Sequence, residues 1–196
     1  MIGTGRIHVY YGDGKGKTTA AMGLVLRAAG SGLDVLMFQF LKDNSSSERV
    51  ILEQIPNVTC LPGKDRVKFV SKMNADEKAR LKHYNNKALD EIIKFCGPFD
   101  VLVLDEILCA VQLGVLSEEK LVEFLEHKPR GLEIVLTGHV VSDKVLELAD
   151  YVTEIRKVKH PYDQGITARE GIEYEEKPVD IIEGSLQPRI SFIKFS

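Results

Sequence analysis

Tyr11-Gly12-Asp13-Gly14-Lys15-Gly16-Lys17-Thr18-Thr19-Ala20-Ala21 decides how the rest of the chain is read. It leaves a short apolar and aromatic run, Arg6 to Tyr11, and opens an alanine- and leucine-rich stretch, Thr18 to Gly30, closed by Gly30 and Gly32. Strand, glycine-rich turn, helix is the setting in which Gly-Lys-Thr binds phosphate. Glycines accept positive φ and let successive N–H groups converge on an anion. The helix that follows turns its positive end to the same place. Gly12, Asp13, Gly14, Lys15, Gly16, Lys17, Thr18 and Thr19 are therefore the candidate ATP-binding set. Lys17 would meet phosphate as a point charge, and Thr18 or Thr19 would hold Mg²⁺. The strict pattern wants its leading glycine at the position of Tyr11. Here it comes one place late, and Lys15 is an added cation inside the loop.

Beyond the loop, short β-branched runs alternate with helical patterns, which predicts an α/β fold of P-loop NTPase-like (RecA-like) type, a mostly parallel sheet with helices on both faces. Asp34 to Phe40 is a near-continuous apolar run and reads as a strand buried on both faces. Ser47 is read as the cap of a short helix from Glu48 to about Ile55, and Val58 to Leu61 as a brief strand. Asn74 and Glu77 match a capping box. The helix they start should reach Cys96, with Leu81, Tyr84, Ala88, Ile92 and Phe95 as its apolar face. Val101 to Leu104, Glu133 to Thr137 and Tyr151 to Lys157 read as further strands, with Ser117 and Ser142 as helix caps. Residues 1–174 are expected to form one nucleotide-binding domain and 175–196 a tail or extension.

Val101-Leu102-Val103-Leu104-Asp105-Glu106 places two carboxylates at the end of a buried strand. In an open α/β sheet that is where ligands bind, so Thr18, Asp105 and Glu106 are the metal candidates. An Asp that merely caps the next helix is the competing reading. Thr137, at the end of Leu136-Thr137-Gly138-His139, should face the same crevice. The five histidines show no metal-binding spacing, and no serine–histidine–acid set stands out. Lys64, Arg66, Lys68 and Lys72 form a basic loop around Phe69, readable as a solvated loop or as a single-strand nucleic-acid contact.

Composition narrows the classes. At 196 residues with 44% hydrophobic and 28% charged, the chain has enough apolar content for one packed core. A net charge of −3 gives no general attraction to nucleic acid or anionic membrane. No apolar run approaches the ~20 residues of a membrane span, and none has signal-peptide character. The three scattered cysteines, Cys60, Cys96 and Cys109, suggest a reducing, cytoplasmic setting.

Taken together, the motifs resemble the P-loop ATP:corrinoid adenosyltransferases. The resemblance rests on Tyr11 to Ala21, Arg27-Ala28-Ala29-Gly30, Gln39-Phe40-Leu41-Lys42, Glu48-Arg49, Leu104-Asp105-Glu106, Leu136-Thr137-Gly138 and Leu148-Ala149-Asp150. It extends through Val158-Lys159-His160-Pro161-Tyr162-Asp163-Gln164-Gly165 to Gly171-Ile172-Glu173-Tyr174. The late glycine is normal in that family. The resemblance implies attack of a corrinoid's cobalt(I) on C5′ of ATP, with inorganic triphosphate leaving. It implies Mg²⁺ or Mn²⁺, Arg27 near the nucleotide, Phe69 and Phe40 on the corrinoid side, a homodimer and a flavoprotein reductant. A tryptophan usual near Phe69 has no counterpart, for the chain contains none, and Ser71 stands there. Two other readings remain at this point: an ordinary RecA-like ATPase or kinase releasing ADP, and a non-enzymatic nucleotide- or nucleic-acid-binding module.

Overall fold

The computed structural model describes residues 3–64, 66–169 and 171–172. The chain alternates strand and helix: β1 (Ile7–Tyr11), α1 (Lys17–Gly30), β2 (Val35–Gln39), α2 (Ser47–Leu52), β3 (Val58–Cys60), α3 (Ala75–Phe95), β4 (Val101–Asp105), α4 (Ile107–Gln112), α5 (Glu118–Glu126), β5 (Glu133–Gly138), α6 (Asp143–Leu148) and β6 (Tyr151–Glu154). The strands form one six-stranded sheet in the order β3-β2-β4-β5-β1-β6. Every pairing is parallel. The expected α/β architecture is what the chain adopts.

The two faces of the sheet are written into the strands residue by residue. Leu36, Phe38, Leu102, Leu104, Ile134 and Leu136 pack with Leu89 and Ile92 of α3, Ile107 of α4 and Leu121 of α5. Val35, Met37, Val101, Val103 and Val135 pack on the other side with Ala21, Val25 and Ala28 of α1 and Leu52 of α2. Because side chains alternate along a strand, Gln39, Asp105 and Thr137 project toward the face that α1 covers, at the C-terminal ends of β2, β4 and β5. β5 lies between β1 and β4, so the loop after β1, Thr137 and Asp105 end up side by side. Three strands chosen by apolar burial thus converge on one polar spot.

α3 starts as its sequence predicts. Asn74 accepts from the Glu77 N–H at 2.9 Å, and Glu77 answers by accepting the Asn74 N–H at 2.8 Å. Leu81, Ala88 and Ile92 are buried, but Phe95 is 42% exposed, because the helix ends there beyond the edge of the core. Asn85 is buried instead, its amide donating to the Val115 carbonyl at 2.9 Å.

Other expectations shift in detail. The cap position of α2 is Ser46 rather than Ser47, which is the first helical residue, and no side chain caps it. Ser117 caps α5 through the Lys120 N–H at 3.2 Å. Ser142 precedes α6 without a side-chain cap bond. β6 ends at Glu154, not Lys157, because the chain leaves the sheet to pass over the loop after β1. α4 follows directly on Asp105-Glu106 and was not anticipated as a separate element. The tail, 175–196, lies outside the described residues.

Asn74→Ala should cost about 1 kcal/mol by removing both halves of the capping box. That is a fall in Tm of ~2–4 °C for a chain of this size, measured by calorimetry.

Candidate functional site

The phosphate loop is fastened along its first half. Gly12 has φ 117°, and a Cβ there would lie 2.3 Å from the Ile155 carbonyl oxygen, so no other residue fits. The Gly12 N–H donates to the His139 carbonyl at 3.1 Å and the Gly14 N–H to the Ile155 carbonyl at 2.8 Å. Asp13 accepts the Lys157 N–H at 2.9 Å. The turn after β5 and the strap after β6 therefore each take one amide group that an ordinary loop would turn to phosphate. This gives a physical account of the late glycine. The anion-facing donors are those further along, at the start of α1, whose first-turn N–H groups have no carbonyl four residues back. Lys17 is 7% exposed and its Nζ donates to the Gly14 carbonyl at 2.7 Å, so its charge is held inside the loop.

Asp105 is the centre of the polar cluster and is fully buried. Its Oδ1 accepts from Thr18 Oγ1 at 2.9 Å and from Thr137 Oγ1 at 2.7 Å. Its Oδ2 accepts from Gln39 Nε2 at 3.1 Å and from Lys42 Nζ at 2.9 Å. Burial pushes the Asp105 carboxyl up, but the Lys42 charge and the hydrogen bonds from Lys42, Thr137 and Gln39 together hold it below the usual carboxylate range. Burial likewise lowers Lys42, and Asp105 more than restores it. The competing reading of Asp105 as a helix cap fails: the position before α4 is Glu106, whose side chain makes no cap bond.

Of the expected site residues, the structure brings together Thr18 and Asp105, with Lys17 held at the head of the same helix. Glu106 sits apart. It adopts φ 60°, its N–H donates to Thr137 Oγ1 at 2.8 Å, and its carboxylate bonds to Cys109. Burial first, and then Glu106, push the Cys109 thiol up to about 12. Lys15, Asp13 and Thr19 are exposed. Arg27 is exposed in the last turn of α1, ~15 Å along the axis from Lys17 at 1.5 Å per residue, and does not join the cluster.

Phe40 as a corrinoid-side residue is corrected. It is 1% exposed and packs edge-on against Phe38 with ring centroids 4.7 Å apart. Phe38 and Phe40, two residues apart, lie on the same buried face, and an apolar run alone does not tell a packed ring from a ligand-facing one. Phe69 is 76% exposed, with Lys72 Nζ 5.6 Å from its ring centre. Lys64 lies 4.8 Å over the Tyr84 ring and Lys68 pairs with Glu77 at 3.1 Å. Three lysines of the basic loop therefore already have partners within the chain. Lys42 and Gln39 were not singled out as site residues. Their signals were a polar pair at and just beyond the end of an apolar strand, and the place of Gln39-Phe40-Leu41-Lys42 among the segments that carry the family resemblance.

A magnesium ion fits these residues. Thr18 Oγ1 and the Asp105 carboxylate are hard oxygen donors 2.9 Å apart. Among the described residues no group of three or more His, Cys, Asp or Glu could hold a metal. Mg²⁺ needs only one or two protein oxygens when phosphates and waters fill its shell. Gln39 Nε2 must face Asp105, since a carboxylate only accepts, and this leaves Gln39 Oε1 as a buried acceptor with no partner among the described residues. A metal-bound water is a donor suited to it.

A parallel sheet with a glycine-rich loop before α1 and a buried Asp two strands away defines a P-loop nucleotide-binding protein. The family model for ATP:corrinoid adenosyltransferase BtuR/CobO/CobP matches residues 3–174. Corrinoid adenosyltransferase CobA of Salmonella typhimurium is 33% identical over 174 residues, covering 87% of this chain and 86% of that protein. Corrinoid adenosyltransferase of Escherichia coli K12 is 34% identical over 177 residues, with 87% and 86% covered. The uncharacterized protein all2391 of Nostoc sp. is 33% identical over 176 residues, 81% of this chain, and this chain spans only 45% of its length. This chain belongs to the ATP:corrinoid adenosyltransferase family.

Gly12→Ala should abolish nucleotide binding, because the new methyl would drive the loop off Ile155; a fluorescent ATP analogue titrated against wild type and variant measures it. Thr137→Val should cost about 1–3 kcal/mol in urea unfolding, by leaving Asp105 and the Glu106 N–H each short of a buried partner. An unchanged midpoint would contradict that accounting.

Proposed function

We propose that this protein transfers the 5′-deoxyadenosyl group of ATP to cobalt(I) of a corrinoid and releases inorganic triphosphate. Family membership across residues 3–174 supports the reading. The observation that carries it is a phosphate loop whose Gly14 N–H is tied to Ile155, with the buried Lys17 and the Thr18–Asp105 pair beyond it. Such a site grips a polyphosphate tail.

The chemistry asks for little else. The cobalt(I) electron pair forms the new bond to C5′ while the C5′–O bond breaks, and that oxygen leaves with the triphosphate. The nucleophile carries no proton, so no general base is required. What the protein contributes is alignment of C5′ with the cobalt and stabilisation of charge on the departing group. Lys17 supplies a fixed positive charge, and the first-turn amides of α1 supply dipoles. Thr18 and Asp105 would hold Mg²⁺ or Mn²⁺, which neutralises phosphate charge when bound. Phe69, exposed within the segment that runs from β3 to α3, is proposed to cover the lower face of the corrinoid. A homodimer, a flavoprotein electron donor, a cytoplasmic setting and a role in adenosylcobalamin synthesis or salvage belong to the same proposal. For the described residues, no helix is long and apolar enough to cross a membrane.

The test is anaerobic. With ATP, Mg²⁺ and chemically reduced cobalamin, loss of the cobalt(I) absorption should accompany adenosylcobalamin and one triphosphate. ADP and phosphate without a cobalt–carbon product would instead make this an ordinary ATPase. Lys17→Ala should lower transfer by at least ~10²-fold, the scale of a lost charge-stabilising donor. Phe69→Ala should slow the reaction from cobalt(II) with a reductant while leaving the pre-reduced reaction near wild type. Equal loss in both would remove that role.

A further inference from the structure

Lys42 has no part in the reading above, yet its ammonium sits on the oxygens assigned to the metal. Its Nζ lies 2.9 Å from Asp105 Oδ2 and 3.3 Å from Thr18 Oγ1. The side chain is 29% exposed, and the carboxylate it meets is fully buried. The backbone delivers it there by an unusual route. The Phe40 N–H donates to the Asp105 carbonyl at 2.8 Å, extending the β2–β4 pairing by one residue. Leu41 then turns left-handed at φ 57°, a conformation unfavourable for a branched residue. Lys42 comes out of that turn aimed at the end of β4. Among the described residues the other non-glycine with positive φ is Glu106, on the far side of the same carboxylate. Backbone conformations of this kind persist where the surroundings enforce them, and they gather at functional sites.

A divalent ion bound to Thr18 Oγ1 and Asp105 would lie within a few ångströms of that ammonium, and like charges so close in a buried site weaken each other's hold on the carboxylate. We propose that Lys42 is a tethered cation that competes with the divalent metal for Thr18 and Asp105. Metal alone is thereby bound weakly, and metal binds tightly with a polyphosphate, whose oxygens offer Lys42 a new partner. Lys42 is then a positioning residue: it keeps Asp105 and Thr18 in place and couples metal entry to nucleotide entry. The coupling is reciprocal, as any such linkage must be. The inference rests on the assignment of Thr18 and Asp105 to the metal, but not on the fate of the adenosyl group.

The experiment is Mn²⁺ binding without nucleotide, read from the free-ion signal in electron paramagnetic resonance. Lys42→Met should bind Mn²⁺ at least tenfold more tightly than wild type. Lys42→Arg, which keeps the charge, should bind it as weakly as wild type. The double variant Lys42→Met/Asp105→Asn should lose the gain. Equal affinity of wild type and Lys42→Met would overturn the proposal. Should Lys42→Met fail to fold, wild type decides: saturating Mn²⁺ should raise labelling of Lys42 by an amine-reactive reagent several-fold relative to exposed Lys82, and no rise would overturn it. Binding of Mn²⁺·ATP to Thr18→Val and Asp105→Asn separates the two claims. If both bind as wild type does, the metal assignment itself fails. If both are impaired and Lys42→Met changes nothing, only the role of Lys42 fails.

Discussion

The carboxylate of Asp105 is the point on which the site's construction turns. A charge with no exposure to water is tolerable only if its lone pairs are filled and a cation stands beside it. Here Thr18 comes from the head of α1, Gln39 from the end of β2, Thr137 from the end of β5 and Lys42 from the turn after β2. Three pieces of chain distant in sequence are thereby held to one pair of oxygens. The penalty for breaking the set keeps the strand ends, the loop and the helix start in register. The same polar groups that satisfy the carboxylate form the ligand edge of the crevice, so stability and function draw on the same bonds at this spot.

The second constraint is the strap that follows β6. Its backbone carbonyl at Ile155 receives the Gly14 N–H and leaves no room for a side chain at Gly12. In a loop whose early amides are spent this way, phosphate must sit toward α1, nearer Lys17 and the first-turn donors. In the proposed reading, a site arranged so holds a polyphosphate by its tail. The displacement of the motif by one residue and the geometry of the strap are one fact seen in sequence and in space.

How much of this could be read from the residues follows from the range of the interactions. The loop, the strands and the start of α3 were legible because their causes are local: glycine at positive φ, apolar runs, and an Asn–x–x–Glu box. Asp105 and Thr137 were legible because each ends an apolar strand, which puts it at the ligand edge of a parallel sheet. Phe40 was misread because it shares one buried face with Phe38, and an apolar run alone does not tell a packed ring from a ligand-facing one. Phe95 was misread because helical periodicity continues past the place where the sheet stops supplying neighbours. Lys42, Gln39 and the Ile155 strap were missed for a different reason. Their partners lie 63, 66 and 141 residues away, and nothing in a local pattern encodes a contact of that separation.

Charge accounting connects the cluster to the reaction. In the proposed reaction a triphosphate leaving C5′ would carry several negative charges into a partly buried crevice, and a low local dielectric makes each one costly unless a cation is close. Lys17 is already inside the loop, hydrogen-bonded to a neutral carbonyl that releases it without leaving a charge behind. Lys42 is bonded to a charged carboxylate, and it can move to phosphate only if another cation takes its place on Asp105. The two lysines therefore differ in kind. One is ready for any anion that enters the loop, whereas the other responds only to metal and polyphosphate together. A site in which Lys42 is released only when a metal ion takes its place on Asp105 favours the metal–nucleotide complex over free nucleotide.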